Sequence, residues 1–275
     1  MAIRTVYRGS ARYYVSPEDP EVQYPGVTSV INMLSKPFLQ AWAARMTAEL
    51  AVDSLEIIQQ MAERDRQGAV DYLRDAARRY TRLRAGIGSD AHDLFERMIR
   101  GETPTRVHPD MEPYRQHFAE FLDAVQPELI RAEDTAWSST HEYAGSFDAI
   151  LRLRLDDNGK PSPDGDPAVV IADWKTSRST YPEVALQMSA YANADEVIAP
   201  DGATEPMPRV DGACVLHITP DNWAFKPVRI DRPVFETFLH LRAIFDWDRE
   251  LSRAVLGDPI ARGRRLVTGT QRRAR

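Results

Sequence analysis

Residues 171–177 read Ile-Ala-Asp-Trp-Lys-Thr-Ser, an apolar run that ends abruptly in an acid, an aromatic, a lysine and two hydroxyls. The lead-in at 168–172 has the length and β-branched content of a core strand. In an extended strand residues two apart share a face, so Asp173 and Lys175 project together while Trp174 points the other way. The plainest chemistry for such a pair is an ion pair. The lysines are few (Lys36, Lys160, Lys175 and Lys226) and the acids number 41 in 275 residues. Chance alone therefore supplies about 0.6 acid-x-Lys triplets in a chain so charged. Lys175 carries the one that occurs, so its weight rests on what the fold places around it.

The first such neighbour is Asp148. Residues 145–155 alternate as a strand does, and residues 156–167 are dense in Asp, Asn, Gly, Pro and Ser, the residues of turns. A hairpin about that linker makes the two flanking strands antiparallel. The midpoint between positions 148 and 173 falls inside that linker, so both carboxylates arrive at one end of the sheet. Two adjacent carboxylates do not both stay ionised without a positive partner. Lys175 is one candidate and a divalent cation another. Hard oxygen ligands suit Mg2+ or Mn2+, one ion or two, and a single histidine in the set tilts the balance towards Mn2+. Such a site could hydrolyse a phosphodiester, with the lysine positioning water, stabilising developing charge or giving up a proton. The alternative is a structural ion cluster with no catalytic role.

These strands need a scaffold. Residues 4–15 fit a hairpin turning at Gly9-Ser10, and Thr28-Ser29 could cap a short helix through Leu34. Pro37 restarts a helix with Phe38, Trp42, Met46 and Leu50 on one apolar stripe, followed by a longer amphipathic helix to about residue 83. The arginines 74, 78, 79, 82 and 84 are either a solvated face or a track for a phosphate backbone. Gly86 and Gly88 suggest a helix entrance capped by Ser89 or Asp90, with His92 in the first turns. Further helices fit 110–125, 183–193 after Pro182, and 231–255; further strands fit 129–133, 211–218 and 223–230. Glu183, Gln187 and Tyr191 fall on one helical face. This is an α+β pattern, a central mixed sheet flanked by helices with an N-terminal helical lobe.

Composition is ordinary for a globular chain, with 43% hydrophobic and 28% charged residues and a net charge of −6. No apolar run approaches the roughly 18 residues of a membrane span and nothing resembles a signal peptide, so the expected setting is the cytoplasm. The lone cysteine, Cys214, excludes an internal disulfide and any cluster built on several thiolates, and its apolar neighbours suggest a buried thiol. After Asp258 there is no acid and six arginines, a basic tail.

Four motifs in order carry a resemblance: His92 in Gly-Ser-Asp-Ala-His, Asp148 in Gly-Ser-Phe-Asp, residues 171–177, and Gln187-x-x-x-Tyr191. Together they resemble the RecB-like branch of the PD-(D/E)XK nuclease superfamily, in its small phage-encoded form. The N-terminal lobe around residues 29–43 resembles that form too. The resemblance implies an α/β/α nuclease core and a Mg2+- or Mn2+-dependent DNA exonuclease, acting on linear single- or double-stranded DNA in phage recombination, replication or processing, in the host cytoplasm. His92, Asp148, Asp173 and the carbonyl of Trp174 resemble metal ligands, Lys175 the catalytic lysine, and Gln187 and Tyr191 the face that orients the site and the DNA. Glu133 resembles a further acidic ligand, and Thr176, Ser177 and Arg178 are DNA-contact positions. Phe147 stands where the family pattern names proline, and a single cysteine excludes the iron–sulfur cluster of some relatives. The implied division is a lobe at 1–85, a core at 86–257 and the basic tail at 258–275. The competing expectation is a nuclease-fold DNA-binding or assembly module without catalysis.

Overall fold

The structure, a computed structural model, describes residues 3–263. The arginines 264, 265, 272, 273 and 275 of the basic tail lie outside the described residues. The fold class is α+β. A hairpin of β1 (Thr5–Arg8) and β2 (Ala11–Val15) turns at Gly9, whose φ of 63° is the left-handed conformation glycine adopts without strain. With β3 (Gln23–Pro25) it makes a three-stranded sheet. The helical part follows: α1 (Val27–Ile31), α2 (Phe38–Asp53), α3 (Leu55–Arg64), α4 (Arg66–Arg74), α5 (Ala76–Ile99) and, after a short 3-10 turn, α6 (Glu112–Val125).

Several of these differ from expectation. Helix α1 starts at Val27 behind Gly26, with Thr28 and Ser29 inside it, and Ser29 Oγ bonds Arg12 across to β2 rather than capping. The single helix expected up to residue 83 is three. One break falls at Asp65, whose carboxylate accepts from Gly68 N–H at 2.9 Å and caps α4. No helix starts at Gly86–Asp90: α5 runs straight through both glycines, so Ser89 and Asp90 cap nothing, and residues 85 and 86 are neighbours within one helix. Each helical glycine costs about 1 kcal/mol relative to alanine. Burial of Ala91, Leu94, Phe95 and Met98 against the core outweighs that cost and carries the helix past them.

The remaining strands are β4 (Glu128–Ala132), β5 (Thr135–Ser138), β6 (Tyr143–Ser146), β7 (Ala149–Leu155), β8 (Asp166–Lys175), β9 (Glu196–Ile198), β10 (Thr204–Pro206), β11 (Gly212–Ile218) and β12 (Trp223–Val228). Helix α7 (Val184–Ala192) lies between β8 and β9, and α8 (Arg232–Arg249) follows β12. The main sheet has five strands in the order β12-β11-β8-β7-β4, and β8 and β11 alone are parallel. A second sheet, β10-β9-β5-β6, was not expected from the sequence. The strand expected at 145–155 is two strands, β6 in the second sheet and β7 in the first, parted at Phe147 and Asp148.

The main sheet is packed on both faces. Ile150, Ile171, Ala213 and Val215 face α1, α7 and α8. Leu151, Val170, Trp174 and Leu216 face α5 and α6. Trp174 is the centre of that second layer: its indole meets Phe118 edge-on at 5.6 Å and Phe121 at 6.0 Å, while Phe118 stacks on Phe95 at 4.5 Å. The opposed directions expected of Trp174 and its acidic neighbour are therefore realised. The lobe differs, because α2 and α3 bury no side chain and α4 buries only Ala69. The stripe Phe38, Trp42, Met46 and Leu50 is thus not a core stripe. No described helix is long and apolar enough to cross a membrane.

Since Phe118 is fully buried between α5 and the Trp174 strand, Phe118→Ala should cost about 3–5 kcal/mol. Urea unfolding should show a lower midpoint at unchanged slope. A loss below about 1 kcal/mol would contradict this packing.

Candidate metal centre

The site is built at the seam between the two larger sheets. The chain leaves the main sheet after β4 and enters the second at β5, passing Glu133 and Asp134; it returns from β6 to β7 past Phe147 and Asp148. The two crossings are tied to each other, with Glu133 N–H donating to the Asp148 carbonyl and Phe147 N–H to the Asp134 carbonyl, both at 3.1 Å. Glu133 has φ 58°, a left-handed conformation that costs a side-chain-bearing residue about 1–2 kcal/mol. A bulge in β4 between Leu129 and Arg131 precedes it.

The β7–β8 register pairs Ala149 with Ala172, which sets Asp148 beside Asp173 and Trp174 as the hairpin argument requires. An Asp148 oxygen, Oδ2, accepts the Trp174 backbone N–H, and the other, Oδ1, lies 3.3 Å from Nδ1 of His92 on α5. His92, Glu133 and Asp148 each present one ligand atom, and these lie within 4.8 Å of one another. Asp173 is not in that cluster. It is held on the neighbouring strand, Oδ2 ion-paired with Lys175 Nζ and Oδ1 accepting from Gln187 Nε2 at 3.2 Å. Gln187 also donates to Tyr191 Oη at 3.1 Å. The Gln187–Tyr191 face of α7 therefore meets the acids, whereas Glu183, one turn earlier, is turned to Lys36 at 3.2 Å.

Gly145 fits the same arrangement. A Cβ there would stand 2.7 Å from Tyr191 Cε1 and 3.3 Å from Val27, so the buried tyrosine occupies the space of the missing side chain. The hydroxyl residues after β8 are placed by their backbones. The Thr176 carbonyl lies 3.5 Å from Arg84 of α5, and the Ser177 carbonyl 2.7 Å from His217 Nε2 on β11. Arg178 is exposed. His217 was not expected at the site, although the parallel β8–β11 pairing sets it opposite Lys175. The arginine face of the lobe is partly neutralised: Arg74 and Arg78 pair with Asp71 and Asp75, and Arg79 lies over Tyr72. The expected buried thiol, Cys214, is half-buried, and burial pushes it up to about 12, out of reach of thiolate chemistry.

The electrostatics show a cluster short of positive charge. Burial, with Asp148 and Glu96 adding repulsion, pushes the Glu133 carboxyl from an ordinary 4.5 up to about 7. Burial also raises Asp173, against the pull of Lys175 and with the repulsion of Asp148. For His92 burial works downward, but the hydrogen bond and charge of Asp148 outweigh it and the net shift is upward. Asp173 Oδ2 is buried and, apart from its ion pair, receives no aligned hydrogen bond. One imidazole, two gathered carboxylates and a third with an unsatisfied oxygen are a donor set that fits a hard divalent cation. Trp174 presents its N–H to Asp148.

A scan against protein-family models finds no match, and a search of curated proteins finds none either. Among solved structures the chain matches the crystal structure of SSO0001 at 15% identity over 70% of each chain, with a TM-score of 0.33.

Two expectations follow. Gly145→Ala should destabilise the protein by about 1–3 kcal/mol, read by thermal or urea denaturation, because Tyr191 has no room to give way; unchanged stability would contradict the contact. In metal-free protein, Glu133 keeps its proton to about pH 7 when folded but ionises near 4.5 when unfolded. The folded state thus binds more protons between these limits, and stability falls as pH rises through them, by up to roughly 3 kcal/mol. His92 and Asp173, also raised, act in the same sense. In EDTA the melting temperature should be lower at pH 8 than at pH 5.5, with the gap narrowed by Glu133→Gln; a flat profile would contradict it.

Proposed function

We propose that this protein is a divalent-metal-dependent deoxyribonuclease of the RecB-like PD-(D/E)XK type, working as an exonuclease on linear DNA. The observation that carries the reading is the convergence of His92, Glu133 and Asp148 at one sheet end, beside a buried Asp173 that is ion-paired with the partly exposed Lys175. Structural ion pairs do not need three carboxylates and an imidazole around one lysine, and such clusters of displaced pKa values mark functional sites.

In this reading His92, Glu133 and Asp148 hold Mg2+ or Mn2+, with Asp173 at its side. Bound there, the cation would supply Lewis acidity towards a phosphate oxygen and acidify a water. The protein's own groups do the rest. Gln187 and Lys175 fix the Asp173 carboxylate from two sides, so its orientation does not change when substrate arrives. Lys175 is three-tenths exposed at the cleft floor, where its ammonium can orient water and meet charge developing on the phosphate. Tyr191, packed against Gly145, keeps Gln187 in place. Arg84 and His217 pin the carbonyls of Thr176 and Ser177, which sets the edge over which a DNA backbone would run.

The test is digestion of end-labelled linear DNA and closed circular DNA in Mg2+ or Mn2+. Linear DNA should be degraded, closed circles spared, EDTA should abolish the reaction, and Asp173→Ala or Lys175→Ala should lower the rate by at least about 100-fold. Glu133→Gln should raise the metal concentration needed for half-maximal rate. DNA binding without metal-dependent cleavage would overturn the reading in favour of a non-catalytic module, and cutting of closed circles would overturn the exonuclease part.

A further inference from the structure

The cleft that opens on Lys175 and His92 is larger than hydrolysis of one phosphodiester requires. Its volume is about 670 Å³, and its far wall is not part of the core but the helical lobe. That wall is aromatic. Phe38 and Trp42 of α2 and Tyr80 of α5 face Tyr181, which follows β8 beyond the catalytic lysine. Phe38, Tyr80 and Tyr181 are 55%, 48% and 46% exposed, so their faces are open rather than spent on packing. Trp42, itself half-buried, meets Tyr80 edge to face with centroids 6.0 Å apart.

Two arginines, Arg84 and Arg178, complete the lining, and among the described residues neither has an acidic partner within ion-pair distance. Outside the cleft, Arg74 of α4 and Arg78 of α5 are paired with aspartates, and Arg79 lies over the Tyr72 ring. Arg84 and Arg178 thus stand in the cleft without an acidic partner, on a lining that also includes Lys175 and His92.

Open aromatic faces spaced along a positively charged channel are what unpaired bases bind, because every base has a π-face while the phosphates follow the cations. Paired bases in a duplex are already stacked on each other and offer no face to such rings. We propose that this cleft holds the unstacked bases of a single-stranded DNA end, and that the protein therefore takes single strands or frayed ends in preference to blunt duplex. The inference rests on reading the acid cluster as a nuclease centre; it adds the form of DNA that reaches it.

The probes are a labelled oligothymidylate, an abasic strand of the same length and a blunt duplex, followed by fluorescence anisotropy with the full chain in calcium. The wild type should bind the normal strand more tightly than the abasic strand or the duplex. Trp42→Ala with Tyr80→Ala should weaken binding of the normal strand by about tenfold or more, leave the abasic strand unchanged, and Trp42→Phe with Tyr80→Phe should restore most of the affinity. Equal wild-type affinity for the normal and abasic strands, or an equal loss on both in the alanine variant, would overturn the proposal. Cleavage of linear duplex in magnesium, run in parallel, separates the two levels. With cleavage present and base dependence absent, the cleft inference fails alone. With neither cleavage nor binding of any strand, the nuclease reading fails and the cleft inference falls with it.

Discussion

The pairing of Ala149 with Ala172 in the β7–β8 hairpin is the constraint on which the site depends. Slipping that register by one residue would turn Asp173 and Lys175 to the face now filled by Trp174, and would bury two charges among Phe118 and Phe121. Burying unpaired charges among apolar rings is far costlier than any single packing contact in this layer. The aromatic layer and the charged layer thus hold each other in place: the indole locks the strand's orientation, and the orientation delivers the acid and the lysine.

The second determinant is the double crossing between sheets. Strand ends leave side chains free of neighbours on the next strand, and here two such ends, at Glu133 and Asp148, are bonded to each other through their backbones. The left-handed backbone at Glu133 stores strain, and strain of this kind persists where surrounding structure enforces it, commonly at functional sites. Helix α5 then lays His92 over both acids. Its unbroken passage through Gly86 and Gly88 matters, since it joins the lobe to the core as one rod and sets Arg84 and His92, two turns apart, along one edge of the cleft. Two carboxyls raised by burial and by repulsion from Asp148, Glu133 and Asp173, make this corner less stable at neutral pH, and a bound cation would offset that cost.

Much of this was legible in the sequence where one local rule dominated. The hairpin needed only an alternating strand, a turn-rich linker and a midpoint between the two acids that falls inside it, and it located Asp148 against the Asp173 strand correctly. The Gln187–Tyr191 face followed from helical spacing. What the sequence hid was decided by tertiary packing. Glycines at 86 and 88 read as punctuation, but burial of Leu94 and Phe95 overrode them. Strand β5 has only four residues, Thr-Ala-Trp-Ser, too few to show a period, so the second sheet and the break at Phe147 were invisible. The grouping of Glu133 with His92 and Asp148, and not Asp173, could not be seen without that second sheet. The stripe on α2 has the spacing of a core face, yet buries no side chain, and its first two members, Phe38 and Trp42, line a cleft; periodicity reports which residues share a face and not what covers it.

The central claim is that His92, Glu133 and Asp148 form one divalent-cation site. The most direct measurement is anomalous diffraction from crystals soaked in Mn2+. The account predicts a single strong peak about 2.1–2.3 Å from a ring nitrogen of His92 and from carboxylate oxygens of Glu133 and Asp148, with the Asp173 carboxylate beside it. Absence of manganese from this corner, or a peak held by other acids with these three side chains still paired to one another, would contradict it.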